Sequence, residues 1–282
     1  MYNVILASTD LGVHVDGTNL GPNVIIKYIK NKKINEIIDI EKDKIIKDKD
    51  HLNLKKNLDY INKFNSELYL QAYNSLKNGC IPITIGGDHS LAIATALASR
   101  DFYKEDIGVL WIDAHTDFNT FETTETGNIH GLPLAAIAGL CKGLEDFANN
   151  NVKPQNIFVL GARSIDKKEK VVTNKANINV ISTDYLLKHD TKEIIDNIFK
   201  AMPSKVHVSY DLDLIDPLDA PGVSVPEIDG IRKKQAYEIV DCLKKYQQRI
   251  TSFDLVEYNP TFDKNDKTLK IAVDILNKFM ND

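Results

Sequence analysis

Short apolar, β-branched runs punctuate this chain, and three of them end abruptly in carboxylates and imidazoles. Ile107 to Ile112 leads into Asp113-Ala114-His115-Thr116-Asp117, and Val206 to Tyr210 leads into Asp211-Leu212-Asp213. Ile81 to Ile85 leads into Gly86-Gly87-Asp88-His89-Ser90. Further runs at Val4 to Ala7, Ile157 to Leu160, Val180-Ile181 and Ile250 to Val256 also read as strands. Amphipathic stretches alternate with them. Leu54, Leu58, Ile61, Leu68, Ala72 and Leu76 mark one face of a long helix that stops near Asn78-Gly79. Gly21-Pro22 opens a helix with proline early, where its missing N–H costs little. Ser90 to Ser99, Gly131 to Leu140, Lys192 to Lys200, Lys233 to Gln247 and Lys267 to Met280 read as helices too. This β/α alternation predicts an α/β fold, a mostly parallel sheet with helices on both faces. No repeat, low-complexity segment or linker divides the 282 residues, so 1–282 reads as a single domain.

Ligands of such sheets bind at the carboxyl ends of the strands, which is where the acidic and histidine-bearing segments fall. Alternate residues of an extended strand share a side, so each segment is expected to project its polar side chains one way. His89, Asp113, His115, Asp117, Asp211 and Asp213 then supply four carboxylates and two imidazoles, enough to hold two divalent metals. Oxygen-rich ligation suits hard and borderline ions, whereas structural zinc prefers thiolates and His. Cys80, Cys141 and Cys242 are far apart and odd in number, which suggests neither a disulfide framework nor a zinc site. A net charge of −5 gives no basic footprint for nucleic acid. No apolar stretch approaches the roughly 20 residues that cross a bilayer, so no membrane partner is expected. The start, Met1-Tyr2-Asn3-Val4-Ile5-Leu6, lacks the features of a signal peptide, and a cytoplasmic location is the expectation. The charge run Glu41 to Asp50 reads as a solvated loop.

Together these segments resemble the ureohydrolase (arginase/agmatinase) family. The resemblance runs from Asp16-Gly17-Thr18-Asn19-Leu20-Gly21-Pro22 to Ser252-Phe253-Asp254-Leu255-Val256-Glu257-Tyr258-Asn259-Pro260. It includes Asn128-Ile129-His130-Gly131-Leu132-Pro133 and Asp211 to Pro217. It implies a three-layer α/β/α domain with an eight-stranded, mostly parallel sheet, assembled as a homo-oligomer, a trimer or hexamer. It also implies two Mn²⁺ per subunit. His89, Asp113, Asp117 and Asp211 would hold the first; His115, Asp113, Asp211 and Asp213 the second, with Asp113 and Asp211 bridging. The implied substrate is a small guanidino or amidine compound, attacked by a water that the metals activate. By the same resemblance Asp117 accepts the first proton, His130 shuttles a proton, and Glu257 pairs with the guanidinium.

Family members differ in what grips the far end of the substrate. Asn119, Thr126 and Asn128 match the positions that read an α-carboxylate in arginases. Asp166, with Glu169 nearby, matches the loop that reads the α-amino group, although a charged loop with Lys167, Lys168 and Lys170 would look similar. The implied order is arginase, then agmatinase or a related guanidino-acid hydrolase, then formimidoylglutamase. Two departures bear on that order. Val223-Ser224-Val225-Pro226 stands where arginases carry Thr-Gly-Thr-Pro, and its Val-Ser character is similar to formimidoylglutamases. Ser164 stands where an acid is usual. A metallophosphoesterase would also use Asp-x-His, but Gly127-Asn128-Ile129-His130 has the wrong spacing for its remaining ligands. A metal-bound scaffold without activity would be expected to have lost ligands, and all six positions are filled.

Overall fold

Eight strands lie side by side in one sheet of the computed structural model, which describes residues 1–40, 47–50 and 52–281. They are β1 (Tyr2–Ala7), β2 (Ile34–Ile40), β3 (Ile81–Gly86), β4 (Gly108–Ile112), β5 (Ile157–Ala162), β6 (Asn179–Ser182), β7 (Val206–Asp211) and β8 (Ile250–Val256). Their spatial order is β2-β1-β3-β8-β7-β4-β5-β6, and every pairing is parallel. Both faces are covered, as parallel sheets require. Val4, Leu6, Leu110 and Ile112 enter the core on one side, while Ile5, Ala7, Val109 and Trp111 enter the core on the other.

Nine α-helical segments supply the outer layers: α1 (Gly21–Ile25), α2 (Leu58–Lys77), α3 (Ala92–Tyr103), α4 (Pro133–Ile137), α5 (Lys167–Ala176), α6 (Thr183–Lys188), α7 (Thr191–Ala201), α8 (Lys233–Lys244) and α9 (Lys267–Met280), counted among the described residues. Apolar side chains of α2, α3 and α4 fill one core, and those of α1, α7, α8 and α9 fill the other. The sequence Ala92-Ile93-Ala94-Thr95-Ala96-Leu97-Ala98-Ser99 is buried throughout. Its small side chains let α3 lie close against the sheet directly behind the site.

The α/β/α architecture and eight-stranded sheet expected from the resemblance are present. Several local readings change. β2 escaped the apolar-run criterion because its sequence, Ile-Asn-Glu-Ile-Ile-Asp-Ile, interleaves acids along a largely solvated edge strand. α2 begins at Leu58 rather than Leu54, and the stretch Gly131 to Leu140 contracts to α4, which opens on Pro133. Asp166 to Lys170 is not simply a charged loop, because Asp166 caps α5 in a reciprocal capping box with Glu169. In the charge run Glu41 to Asp50, residues 41–46 lie outside the described residues. Lys47 departs from a solvated reading. It is nearly buried, and its Nζ donates to the carbonyls of Asp10, Val13 and Val15, pinning the loop after β1.

The strand order explains where the site lies. The chain leaves β4 toward β5 on one side, and leaves neighbouring β7 toward β8 on the other. A crevice therefore opens between the carboxyl ends of β4 and β7, a topological switch point. Ile112 pairs with Tyr210 there, so Asp113 and Asp211 emerge side by side.

Candidate metal centre and active site

Three strand ends share one local device. Asp88 Oδ1 accepts from Ser90 N at 3.0 Å, Asp113 Oδ1 from His115 N at 2.6 Å, and Asp211 Oδ1 from Asp213 N at 2.7 Å. Each is a side chain bonding the backbone two residues on, a turn that Asp favours. Asp211 closes β7, whereas Asp113, His115 and Asp117 lie beyond β4, so these turns rather than strand alternation alone aim the ligands. Gly87 allows the first turn, because a Cβ there would collide with the Thr9 backbone. Asp117 and Glu257 adopt positive φ, 44° and 65°. Such conformations cost energy in residues with side chains and cluster at functional sites.

His89 Nδ1 lies 3.1 Å from Asp113 Oδ2, 3.2 Å from Asp117 Oδ2 and 3.1 Å from Asp211 Oδ2. His115 Nδ1 lies 3.0 Å from Asp213 Oδ2 and 3.4 Å from Asp113 Oδ1. His89, Asp113 and Asp117 thus form one group able to hold a metal, and Asp113, His115 and Asp213 form another, with Asp113 in both. All six residues named from the sequence are brought together. His89 is held from behind: its ring stacks on Trp111 at 3.9 Å, and Nε2 meets Ser209 Oγ at 2.8 Å.

The donor set fits divalent cations. Asp113, Asp117, Asp211 and Asp213 are all buried. Among the described residues, their partners are imidazoles and backbone N–H groups, with no lysine or arginine. His89 Nδ1 and Asp113 Oδ2 are buried and close, yet neither makes a hydrogen bond, so both face a common point. Burial, reinforced by the charge of Asp113, pushes Asp117 up to about 7. Burial and then Asp213 and Asp113 raise Asp211 well above the usual carboxylate range. Burial opposes a charged His89, but Asp113, Asp117 and Asp211 outweigh it and raise the imidazole well above its ordinary value. Four buried carboxylates thus need compensating cations, which protons on the imidazoles or divalent metals can supply.

Beneath His89 lies a polar seam in one face of the sheet. His207 Nδ1 meets Ser252 Oγ at 2.7 Å, Ser99 and Ser252 hydroxyls are 2.8 Å apart, and Asp254 Oδ2 accepts from Thr95 at 2.5 Å. Burial holds Asp254 up at about 7; burial, followed by the charge of His89, pushes His207 down to about 3.

A cavity of about 270 Å³ opens over the metal-ligand residues and is lined by every substrate-side residue named from the sequence. Glu257 Oε1 accepts from His89 N at 2.9 Å and lies 3.1 Å from His130 Nδ1, while Oε2 is buried without a partner. Asn119 Nδ2 donates to Asp166 Oδ2 at 3.2 Å. Thr126 Oγ1 accepts from Asn128 N at 3.2 Å, and Asn128 Nδ2 donates to His14 Nδ1 at 2.9 Å. Glu169 is buried, and its oxygens already accept from Thr116 Oγ1, Phe118 N at 2.8 Å and Asp166 N at 3.1 Å. Its carboxylate ties α5 to the loop after β4. Of the Val223 to Val225 segment, Val225 faces the cavity, whereas Val223 is buried and bridges Tyr258, and Ser224 Oγ accepts from Asn259. His14 and Glu227, absent from the sequence reading, also line the cavity. No local motif marks either one, because only the fold brings them to the site.

The arginase family model matches residues 2–281. The chain belongs to the arginase family. It is 32% identical over 294 residues to an arginase of Staphylococcus aureus strain COL, covering 99% of this chain and 97% of that protein. It is equally similar to the arginase of Bacillus subtilis strain 168, with the same coverage. A solved Bacillus subtilis arginase superimposes with a TM-score of 0.90 at 31% identity, covering 100% of this chain and 98% of that one. The Entamoeba histolytica arginase, solved in complex with L-ornithine, gives 0.93 at 26% identity, covering 99% and 98%. As a member of this family, the protein is a ureohydrolase-type enzyme acting on C–N bonds of linear amidines, with His and Asp groups placed to bind metal. No described helix is long and apolar enough to cross a membrane.

Proposed function

We propose that this protein is a two-manganese arginase that hydrolyses L-arginine to L-ornithine and urea. The observation that carries the reading is the pairing, within the cavity over the metal-ligand residues, of Asn119 Nδ2 with Asp166 Oδ2 at 3.2 Å. A donor beside an acid matches the α-carboxylate and α-amino group of an amino acid, whereas agmatine offers no carboxylate. Thr126 and Asn128 add polar groups on the carboxylate side. The ornithine held by the Entamoeba histolytica relative supports the same choice. Glu169 acts by positioning Asp166 and the loop after β4.

The six residues His89, Asp113, His115, Asp117, Asp211 and Asp213 would hold the ions, and the oxygen-rich set with two imidazoles suits manganese. A bound metal pair supplies a water acidified enough to attack at neutral pH. This chain's residues do the rest. Glu257 Oε2, buried and unpartnered, accepts guanidinium N–H donors and orients the electron-poor carbon. Asp117 takes a proton from the attacking water. The water oxygen adds to that carbon, the C–N bond to the side chain breaks with its electron pair going to nitrogen, and the proton left on the added oxygen is released as urea forms. The departing amine needs a proton, because an amide anion leaves poorly. His130, part-exposed at the rim with Nδ1 on Glu257, carries one in from solvent. The assembly as a trimer or hexamer, a cytoplasmic location and a single domain over 1–282 belong to the same reading.

One feature favours a second reading. Val225 offers no hydroxyl to the cavity, and the Val-Ser character of its segment resembles formimidoylglutamases. Manganese-reconstituted protein assayed side by side on arginine, agmatine, guanidinobutyrate and formiminoglutamate separates the two. We expect the highest kcat/KM for arginine, with urea released. A higher value for agmatine, or formamide release from formiminoglutamate, would replace the substrate assignment.

A further inference from the structure

His115 Nδ1 faces Asp113 and Asp213, so Nδ1 is the atom placed to bind a metal. Its other ring nitrogen, Nε2, lies 3.3 Å from Glu227 Oε1. Glu227 comes from a different part of the chain, two residues beyond Val225, in the segment between β7 and α8. Its backbone is fixed independently of its side chain. Arg163 Nη2 donates to the carbonyls of Asp213 at 2.8 Å and Glu227 at 2.9 Å, and Nε donates to the Ile228 carbonyl at 2.9 Å. One guanidinium thus clamps the ligand-bearing turn after β7 to the segment that carries Glu227. Ser164, beside Arg163, carries a hydroxyl and no carboxylate, and it interacts with the Glu227 side chain rather than replacing it.

We propose that Glu227 is the positioning residue for His115, its carboxylate accepting a hydrogen bond from Nε2–H so that the neutral ring presents its Nδ1 lone pair to a metal. The proposal rests on the two-metal reading above and adds the group that fixes one ligand. A metal-bound imidazole that donates its second N–H to a carboxylate keeps its tautomer and orientation and is a stronger ligand. Because His115 belongs to the group with Asp113 and Asp213, and His89 to the other, the effect should fall on one ion.

The test compares Mn²⁺ binding by the parent, Glu227→Gln and Glu227→Ala proteins, using calorimetry and metal content after dialysis, alongside turnover. The Arg163 clamp holds the Glu227 carbonyl, so both variants retain it. The parent is expected to bind two ions. Glu227→Ala should bind one of them about 10- to 100-fold more weakly, with lost turnover returning as Mn²⁺ is raised. Glu227→Gln keeps an acceptor without the charge and should fall between. Two ions held by Glu227→Ala with affinities within about twofold of the parent would overturn the proposal, as would equal weakening at both sites. Should the alanine protein not fold, Glu227→Gln binding both ions like the parent would overturn it equally. A parent that takes up no metal would overturn the two-metal reading itself, a result distinguishable from either of these.

Discussion

Asp113 is shared by both groups able to bind metal, and Asp211 emerges beside it from the neighbouring strand. Removing either carboxylate takes away a ligand and leaves buried imidazoles with fewer counter-charges. Asp113→Ala or Asp211→Ala should therefore lose metal and turnover together, as metal analysis and a urea assay would read. Near-normal metal content with near-normal turnover in either would contradict the site. His130 is different, because among the described residues its ring pairs with Glu257 rather than with a metal-ligand side chain. His130→Ala should keep its metals and lose up to about 10²-fold in kcat, the lower end of what a positioned proton carrier contributes. Added imidazole should restore part of the rate. Unchanged kcat would remove His130 from the mechanism.

Each element contributes to the site through its end. β3, β4, β7 and β8 finish at the same edge, and the Asp turns after three of them do the final aiming. The fastening of α5 to the β4 loop by Glu169 gives a direct test. Glu169→Ala would leave Phe118 N, Asp166 N and the Thr116 hydroxyl without their acceptor. Each buried unmet group costs about 1–3 kcal/mol, so a lower Tm and a KM raised more than kcat is lowered are expected. An unchanged Tm would show the fastening to be dispensable. The same elements explain what the sequence disclosed. β4 and β7 were legible because each apolar run adjoins its own ligands, so strand and motif reinforce each other. His89 was legible from Gly86-Gly87-Asp88-His89-Ser90. β2 was missed because an edge strand open to solvent loses the apolar pattern, and α5 was missed because lysines crowd its sequence. His14, Glu227, Ser209 and the Lys47 tie depend on contacts between segments far apart in the chain, which periodicity does not report.

The whole molecule carries an unusual proton load at its centre. Asp117 and Asp254 are pushed up to about 7 by burial, and Asp211 and Asp213 are raised chiefly by burial. Despite burial, His89 and His115 are raised by the carboxylates around them. These groups share protons, and together they hold more of them in the folded chain than in the unfolded one, so the metal-free fold loses stability as pH rises toward and through about 7. Asp113, lowered by His115 and His89 against the effect of burial, and His207, pushed down to about 3, act in the opposite sense and are outnumbered. Metal-stripped protein should melt lower at about pH 8 than at about pH 6, while added Mn²⁺ should raise Tm most at the higher pH, since binding requires those protons to leave. The reverse order would contradict the site electrostatics. Light scattering should give three or six protomers per particle; a monomer of full activity would contradict that part of the reading. In the proposed reaction two ions held by these six residues activate water against a guanidinium. A titration of metal-stripped protein with Mn²⁺, following urea release from L-arginine, tests it most directly. Urea release should be negligible without metal and should rise to its plateau at two ions per chain. Full urea release from the metal-stripped protein, or a plateau reached at a single ion, would contradict it.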